Sequence, residues 1–224
     1  MALPRTLVPL LALANLVTAQ QTTHFPTDDG GVIYADLYGK ASRAVILAHG
    51  GQFTKESWRN QADTLTAAGF RVLAIDFRGF GRSHGPGQAD MYTAPFHKDV
   101  LAAVHYLKTQ RVKTVSVVGA SFGGGAAGDA SIESAPGEID RVVFLGAAPN
   151  LSAAKLKSRT LFIVAREDTS GDGLRLPGIR AQYEKAPEPK QLIVLDGSAH
   201  AQFLFQTDQR DRVMHEIVRF LSAP

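Results

Sequence analysis

The sequence predicts an α/β fold, with a mostly parallel central sheet and helices on both faces. Three observations lead there. Short β-branched apolar runs without strict alternation recur along the chain, as strands buried on both faces require. Segments with apolar residues at helical spacing lie between those runs. The length of 224 residues suits one domain, and no internal repeat or linker divides it.

Taken in order, residues 1–19 read MALPRTLVPLLALANLVTA. Arg5 precedes an apolar run over 7–17, and Val17-Thr18-Ala19 puts small residues where a signal peptidase reads. Pro4 and Pro9 and the lack of a polar face argue against a buried first helix. The expectation is a signal peptide over 1–19, cleaved before Gln20, and one domain over 20–224. The mature protein is then expected outside the cytoplasm, in the periplasm or secreted. Residues 32–38 alternate after the turn Asp28-Asp29-Gly30-Gly31 and read as a strand. Continuous apolar strands follow at 44–48 (AVILA), 71–75 (RVLAI), 114–118 (TVSVV), 141–145 (RVVFL), 160–164 (TLFIV) and 191–195 (QLIVL). Helices are expected over 57–68, 96–108, 122–132, 179–185 and 208–221. The stretch Ala186-Pro187-Glu188-Pro189 reads as a loop.

Composition excludes several classes. There is no cysteine, so no disulfide framework, thiolate zinc site, cysteine nucleophile or lipoprotein anchor is available. A hydrophobic content of 45% with 20% charged residues is that of an ordinary globular domain. The 24 basic and 21 acidic residues leave a net charge of +3, and the basic residues are scattered singly, which argues against nucleic acid as a partner. No apolar stretch reaches the roughly 20 residues of a membrane span.

The chemistry concentrates at Gly119-Ala120-Ser121-Phe122-Gly123, a G-x-S-x-G run set between a strand and a helix. A serine at the apex of so tight a turn sits in strained backbone. The chain on either side passes too close for side chains, hence Gly119 and Gly123. The helix beginning at Phe122 aims its first N–H groups at the space above Ser121, where they favour developing negative charge. A phosphate loop is the competing reading, but neither the G-x-G-x-x-G spacing nor a following Lys-Ser/Thr is present.

From about residue 24 to its end the chain resembles the α/β-hydrolase superfamily. The motifs stand in that family's order: His49-Gly50-Gly51, then Asp76-Phe77-Arg78-Gly79-Phe80-Gly81-Arg82-Ser83, then Ser121, Asp168 and His200. The resemblance implies the α/β-hydrolase fold and a catalytic triad of Ser121 as nucleophile, His200 as general base and Asp168 as the acid that orients it. His200 lies in a loop of small residues just after the last strand, where a base can reach the serine. Glu167 and Asp172 are rivals for the acid. The run from Asp168 to Gly173 also mimics the start of a calcium loop, but its twelfth position is Ile179 rather than glutamate. The oxyanion hole would use the backbone N–H groups of Phe122 and Gly51, with Gln52 the rival for the second. His49, Asp76, Arg78 and Ser83 are expected to brace loops.

Many relatives insert a lid between the strands at 141–145 and 160–164. Here residues 146–159 leave room for one short helix and no cap domain. Phe53, Trp58, Phe122 and Phe203 are the aromatic candidates for an acyl or alcohol pocket. The expected activity is that of a carboxylesterase on small soluble esters, with a small-molecule ester as the partner and no cofactor or metal implied. Alternatives are a peptidase, perhydrolase or lyase on the same fold, or a non-catalytic binding protein on a hydrolase scaffold. Serine at the elbow speaks against dehalogenases and epoxide hydrolases of this fold, which use aspartate there.

Overall fold

The computed structural model describes residues 20–87, 90 and 93–224, so the expected signal peptide lies outside the described residues. The main sheet is built from β1 (Gln21–Pro26), β2 (Val32–Tyr38), β3 (Arg43–Ala48), β4 (Arg71–Ile75), β5 (Thr114–Ala120), β6 (Arg141–Leu145), β7 (Arg159–Ala165) and β10 (Lys190–Leu195). Two short strands, β8 (Thr169–Ser170) and β9 (Gly173–Leu174), pair with each other. The helices are α1 (Arg59–Ala67), α2 (Phe96–Thr109), α3 (Phe122–Glu133), α4 (Arg175–Lys185) and α5 (Arg210–Ser222).

The sheet has eight strands in the order β1-β2-β4-β3-β5-β6-β7-β10. β1 and β2 join antiparallel, and every pair from β4 onward is parallel. Successive side chains of a strand point to opposite faces, which makes two cores. Ala44, Ile46 and Ala48 of β3 pack on the face covered by α2, α3 and α4. Val45 and Leu47 pack on the other, with Trp58, Leu65 of α1, and Val213, Ile217 and Phe220 of α5. This is why the central strands read as unbroken apolar runs.

β3 sits between β4 and β5. The chain leaves β3 toward β4 and later returns on the other side to β5, so the loops at the carboxyl ends of β3 and β5 part there. Such a switch point leaves a crevice at the sheet's carboxyl edge.

One sequence expectation is corrected, and two elements are added. Residues 21–26, for which the sequence predicts no element, form the edge strand β1; only Phe25 of its side chains is buried hydrophobic core, so the run carries little apolar signal. The helix expected from 179 starts at Arg175. Pro177 falls in its first turn, where no N–H is needed. The segment after Asp168, for which the sequence predicts no element, forms the β8–β9 hairpin. Between β6 and β7 lies one 3₁₀ turn, Ala153–Lys155. No helix among the described residues is long and apolar enough to cross a membrane.

Candidate active site

Ser121 occupies the single position between β5 and α3, with φ 53° and ψ −125°. That region of backbone space is strained for any side chain larger than glycine's and costs about 1–3 kcal/mol. The turn is pinned at both ends: the Ser121 N–H donates to Leu145 O at 3.0 Å, and its carbonyl accepts from Gly124 N at 2.9 Å. A Cβ on Gly119 would stand 2.5 Å from Gly123 O, and one on Gly123 would strike the His49 carbonyl oxygen. Both glycines are therefore fixed by crowding.

His200 follows β10, just beyond Gly197, whose φ of +91° turns the chain back. Its Nδ1 lies 2.8 Å from Asp168 Oδ2, and its Nε2 lies 2.8 Å from Ser121 Oγ. A carboxylate only accepts, so Nδ1 carries the proton, and bare Nε2 accepts from the serine hydroxyl. Asp168 is fully buried, whereas the His200 side chain is 25% exposed. The structure thus brings Ser121, His200 and Asp168 into one hydrogen-bonded line. Glu167 and Asp172, the rival acids, are both exposed. Asp168 Oδ1 faces Arg175 Nε at 3.3 Å.

The loop after β3 lies against the serine: a Cβ on Gly50 would be 3.4 Å from Ser121 Cβ. Among the described residues, the amides of Phe122, Gly51 and Gln52 have no acceptor within the protein. Gly51 is half-buried and Gln52 exposed. His49 is wholly buried, with Nδ1 2.9 Å from Gly50 O and Nε2 3.2 Å from Phe77 N. Nδ1 therefore donates and Nε2 accepts. Burial pushes this imidazole below its ordinary pKa, which keeps it neutral.

The neighbouring turn is braced by ions. Asp76 Oδ1 accepts from Lys55 N at 2.7 Å. Arg78 donates to Asp99 Oδ1 through Nε at 2.8 Å and to Asp29 Oδ2 through Nη1 at 2.7 Å. Ser83 Oγ accepts from Tyr34 N at 2.8 Å. None of the four bracing residues contacts the Ser121 hydroxyl.

Two residues near the line carry no sequence signal. Gln202 is buried; its Oε1 accepts from Gly50 N at 2.7 Å and its Nε2 donates to Ser57 Oγ at 2.9 Å. It ties the histidine loop to the loop after β3. Gly146, with φ +57°, closes against Asp168 and His200. Only its place at the carboxyl end of a strand could have flagged it.

Beside Ser121 lies a cavity of about 490 Å³, walled by Phe122, the loop after β6 and the first turns of α4. Of the four aromatic pocket candidates, only Phe122 lines it. Trp58 is fully buried in the core beneath α1 and α5. Phe53 and Phe203 pack on each other, ring centroids 5.0 Å apart. Their segments lead into α1 and α5, whereas the cavity opens over α3 and α4.

Residues 43–205 match the family model described as the alpha/beta hydrolase fold. A non-heme chloroperoxidase of Streptomyces lividans is 30% identical over 67% of this chain and 49% of its own length. An epoxide hydrolase of Caballeronia sordidicola is 35% identical over 41% of this chain and 27% of its own. The chain thus spans half or less of the length of these curated relatives. Among solved structures, an esterase from Exiguobacterium antarcticum superposes with a TM-score of 0.75 at 16% identity, covering 91% of this chain and 100% of that one. A bromoperoxidase from Bacillus anthracis gives 0.72 at 18% identity, with coverages of 91% and 100%.

Proposed function

The chain belongs to the alpha/beta hydrolase family, and we propose that it is a serine hydrolase acting as a carboxylesterase on small soluble esters. The reading is carried by one observation: the Ser121 hydroxyl, on strained backbone, is 2.8 Å from an imidazole that is itself 2.8 Å from a buried carboxylate.

Ser121 Oγ attacks the ester carbonyl as His200 Nε2 takes its proton. The carbonyl oxygen becomes an oxyanion, held by the N–H groups of Phe122 and Gly51. Asp168 stabilises the imidazolium. The tetrahedral intermediate collapses, the C–O bond to the leaving alcohol breaks, and Nε2–H protonates that oxygen. Water then attacks the acyl-enzyme with His200 again as base, and the acid departs. The uncapped site and modest cavity favour short acyl chains.

The test is labelling with a fluorophosphonate followed by peptide mapping. Modification of Ser121, together with turnover of 4-nitrophenyl acetate lost in Ser121→Ala, supports the reading. An unlabelled serine in a folded protein removes it and revives a non-catalytic role for the scaffold.

A second reading is favoured by the chloroperoxidase relative. Hydrogen peroxide in place of water would attack the same acyl-enzyme and release a peracid. Peracid formation from an ester and peroxide, compared with hydrolysis of that ester, separates the two. An epoxide-opening reading is disfavoured by a hydroxyl at the elbow.

Export is proposed on the leader-like sequence of residues 1–19. Cleavage before Gln20 would leave the edge strand β1, which starts at Gln21, intact. Amino-terminal sequencing of the secreted fraction should then begin at Gln20.

A further inference from the structure

Among the described residues, the cavity beside Ser121 has one charged residue in its wall, Arg175, and no carboxylate lines it. Arg175 opens α4, immediately after the β8–β9 hairpin, and its side chain is 34% exposed. Its Nε is buried and faces Asp168 Oδ1 at 3.3 Å. Its backbone N–H donates to Asp168 O at 2.8 Å. The inner edge of the guanidinium thus faces the acid of the triad as an ion pair, without a hydrogen bond between the two atoms. Among the described residues, Nη1 and Nη2 have no acceptor. A planar guanidinium with two unpartnered nitrogens matches a carboxylate.

Among the described residues, no polar neighbour in the wall is hydrogen-bonded to Nη1 or Nη2. Asn150 Nδ2 donates to Asp129 and Gln182 Oε1 accepts from Ala153 N. Both amides hold loops through these bonds. Gly178 also lines the cavity, and a Cβ there would meet nothing within 4 Å. A glycine in a helix costs about 1 kcal/mol against alanine, and no close packing requires this one.

We propose that Arg175 is a specificity residue and that the preferred substrates are esters carrying a free carboxylate, such as monoesters of small dicarboxylic acids. The assignment rests on the hydrolase reading above. Ser121 and Arg175 share one cavity, so an ester reacting at the serine can place its carboxylate on the guanidinium. The neutral ester binds with Nη1 and Nη2 left unpaired.

The experiment compares kcat/KM for 4-nitrophenyl hemiglutarate with that for 4-nitrophenyl butyrate, and for 3-acetoxybenzoate with phenyl acetate. These pairs put the carboxylate on the acyl and the alcohol side. The expected result is a preference of about 10- to 100-fold for the anionic member of at least one pair, as a charged hydrogen bond supplies. Arg175→Gln should collapse that ratio and Arg175→Lys should retain part of it. Glutarate should inhibit the unmodified protein competitively, a readout that needs no variant. Turnover of the neutral esters with Ser121 labelled, but no anionic preference in either pair, overturns this proposal and leaves the hydrolase reading intact. Failure of labelling and of all four esters overturns both.

Discussion

Gly146 lies so close to His200 that no side chain fits between them. A methyl group on Gly146 would sit 3.0 Å from His200 Nδ1 and 3.0 Å from Asp168 Oδ2, at a φ of +57°. The end of β6 is therefore shaped by the hydrogen bond it lies beside. Gly146→Ala should cost about 1–3 kcal/mol from backbone strain and displace the imidazole. A shift of about 1 Å lowers turnover by roughly 100-fold. Urea unfolding and ester kinetics on the same preparation check both, and unaltered kcat would refute the packing argument.

Ser121 stores strain, and the two obvious replacements should differ. Ser121→Ala removes the hydroxyl but keeps a side chain at φ 53°. Ser121→Gly also relieves the backbone, which offsets the greater freedom of glycine in the unfolded chain. Both should lack esterase activity, with the glycine variant melting no lower than the alanine variant. A clearly lower melting temperature for the glycine variant would show that the elbow is not strained.

Gln202 buries an acceptor on Gly50 N. Replacing it by leucine leaves that N–H unpaired, at a cost of about 1–3 kcal/mol. The loop that carries Gly51 should shift, so kcat should fall more than KM rises. Chemical denaturation and steady-state kinetics of Gln202→Leu check this.

Stability should decline on the acid side in two stages. Burial holds the His49 imidazole below its ordinary pKa. Below pH about 6.5 the unfolded chain therefore takes up a proton that the folded one refuses. The stabilisation is complete above that pH and is lost as pH falls toward the folded value. The hydrogen bond from Arg78 holds Asp29 well below the usual carboxylate range. By the same sign, its contribution is complete above pH about 4 and is lost as pH falls further. Urea midpoints from pH 7 to pH 3 should drop in both windows, with Asp29→Asn flattening the lower one. A constant midpoint across the range would contradict both assignments.

Gly178→Ala should raise stability by about 0.5–1 kcal/mol, because open space receives the new methyl. Thermal melting should rise by a few degrees.

Much of the fold could be read because the central strands are buried on both faces. A run such as AVILA is unambiguous when α2 and α3 cover one side and α1 and α5 the other. The nucleophile position could be read because crowding at Gly119 and Gly123 permits no other residue. β1 was hidden because an edge strand carries one buried face at most, and here only Phe25 reports it. The start of α4 was hidden because Leu-Pro-Gly resembles a turn when the helix's first-turn exemption for proline is not applied. Gln202 and Arg175 left no trace, since one amide or guanidinium among many has meaning only once long-range contacts place it. Three of the four aromatic pocket candidates, Phe53, Trp58 and Phe203, lie outside the cavity wall for a related reason. Proximity in sequence to a motif does not say which face of the sheet a ring joins.

The hydrogen bond that would activate Ser121 reaches 79 residues along the chain. During synthesis the hydroxyl therefore leaves the ribosome long before its base exists. On the proposed mechanism, a shortened product ending before residue 200 would carry an inert alcohol. Reactivity would arrive only when the last main-sheet strand docks, so an unfinished or unfolded chain would not be acylated at Ser121.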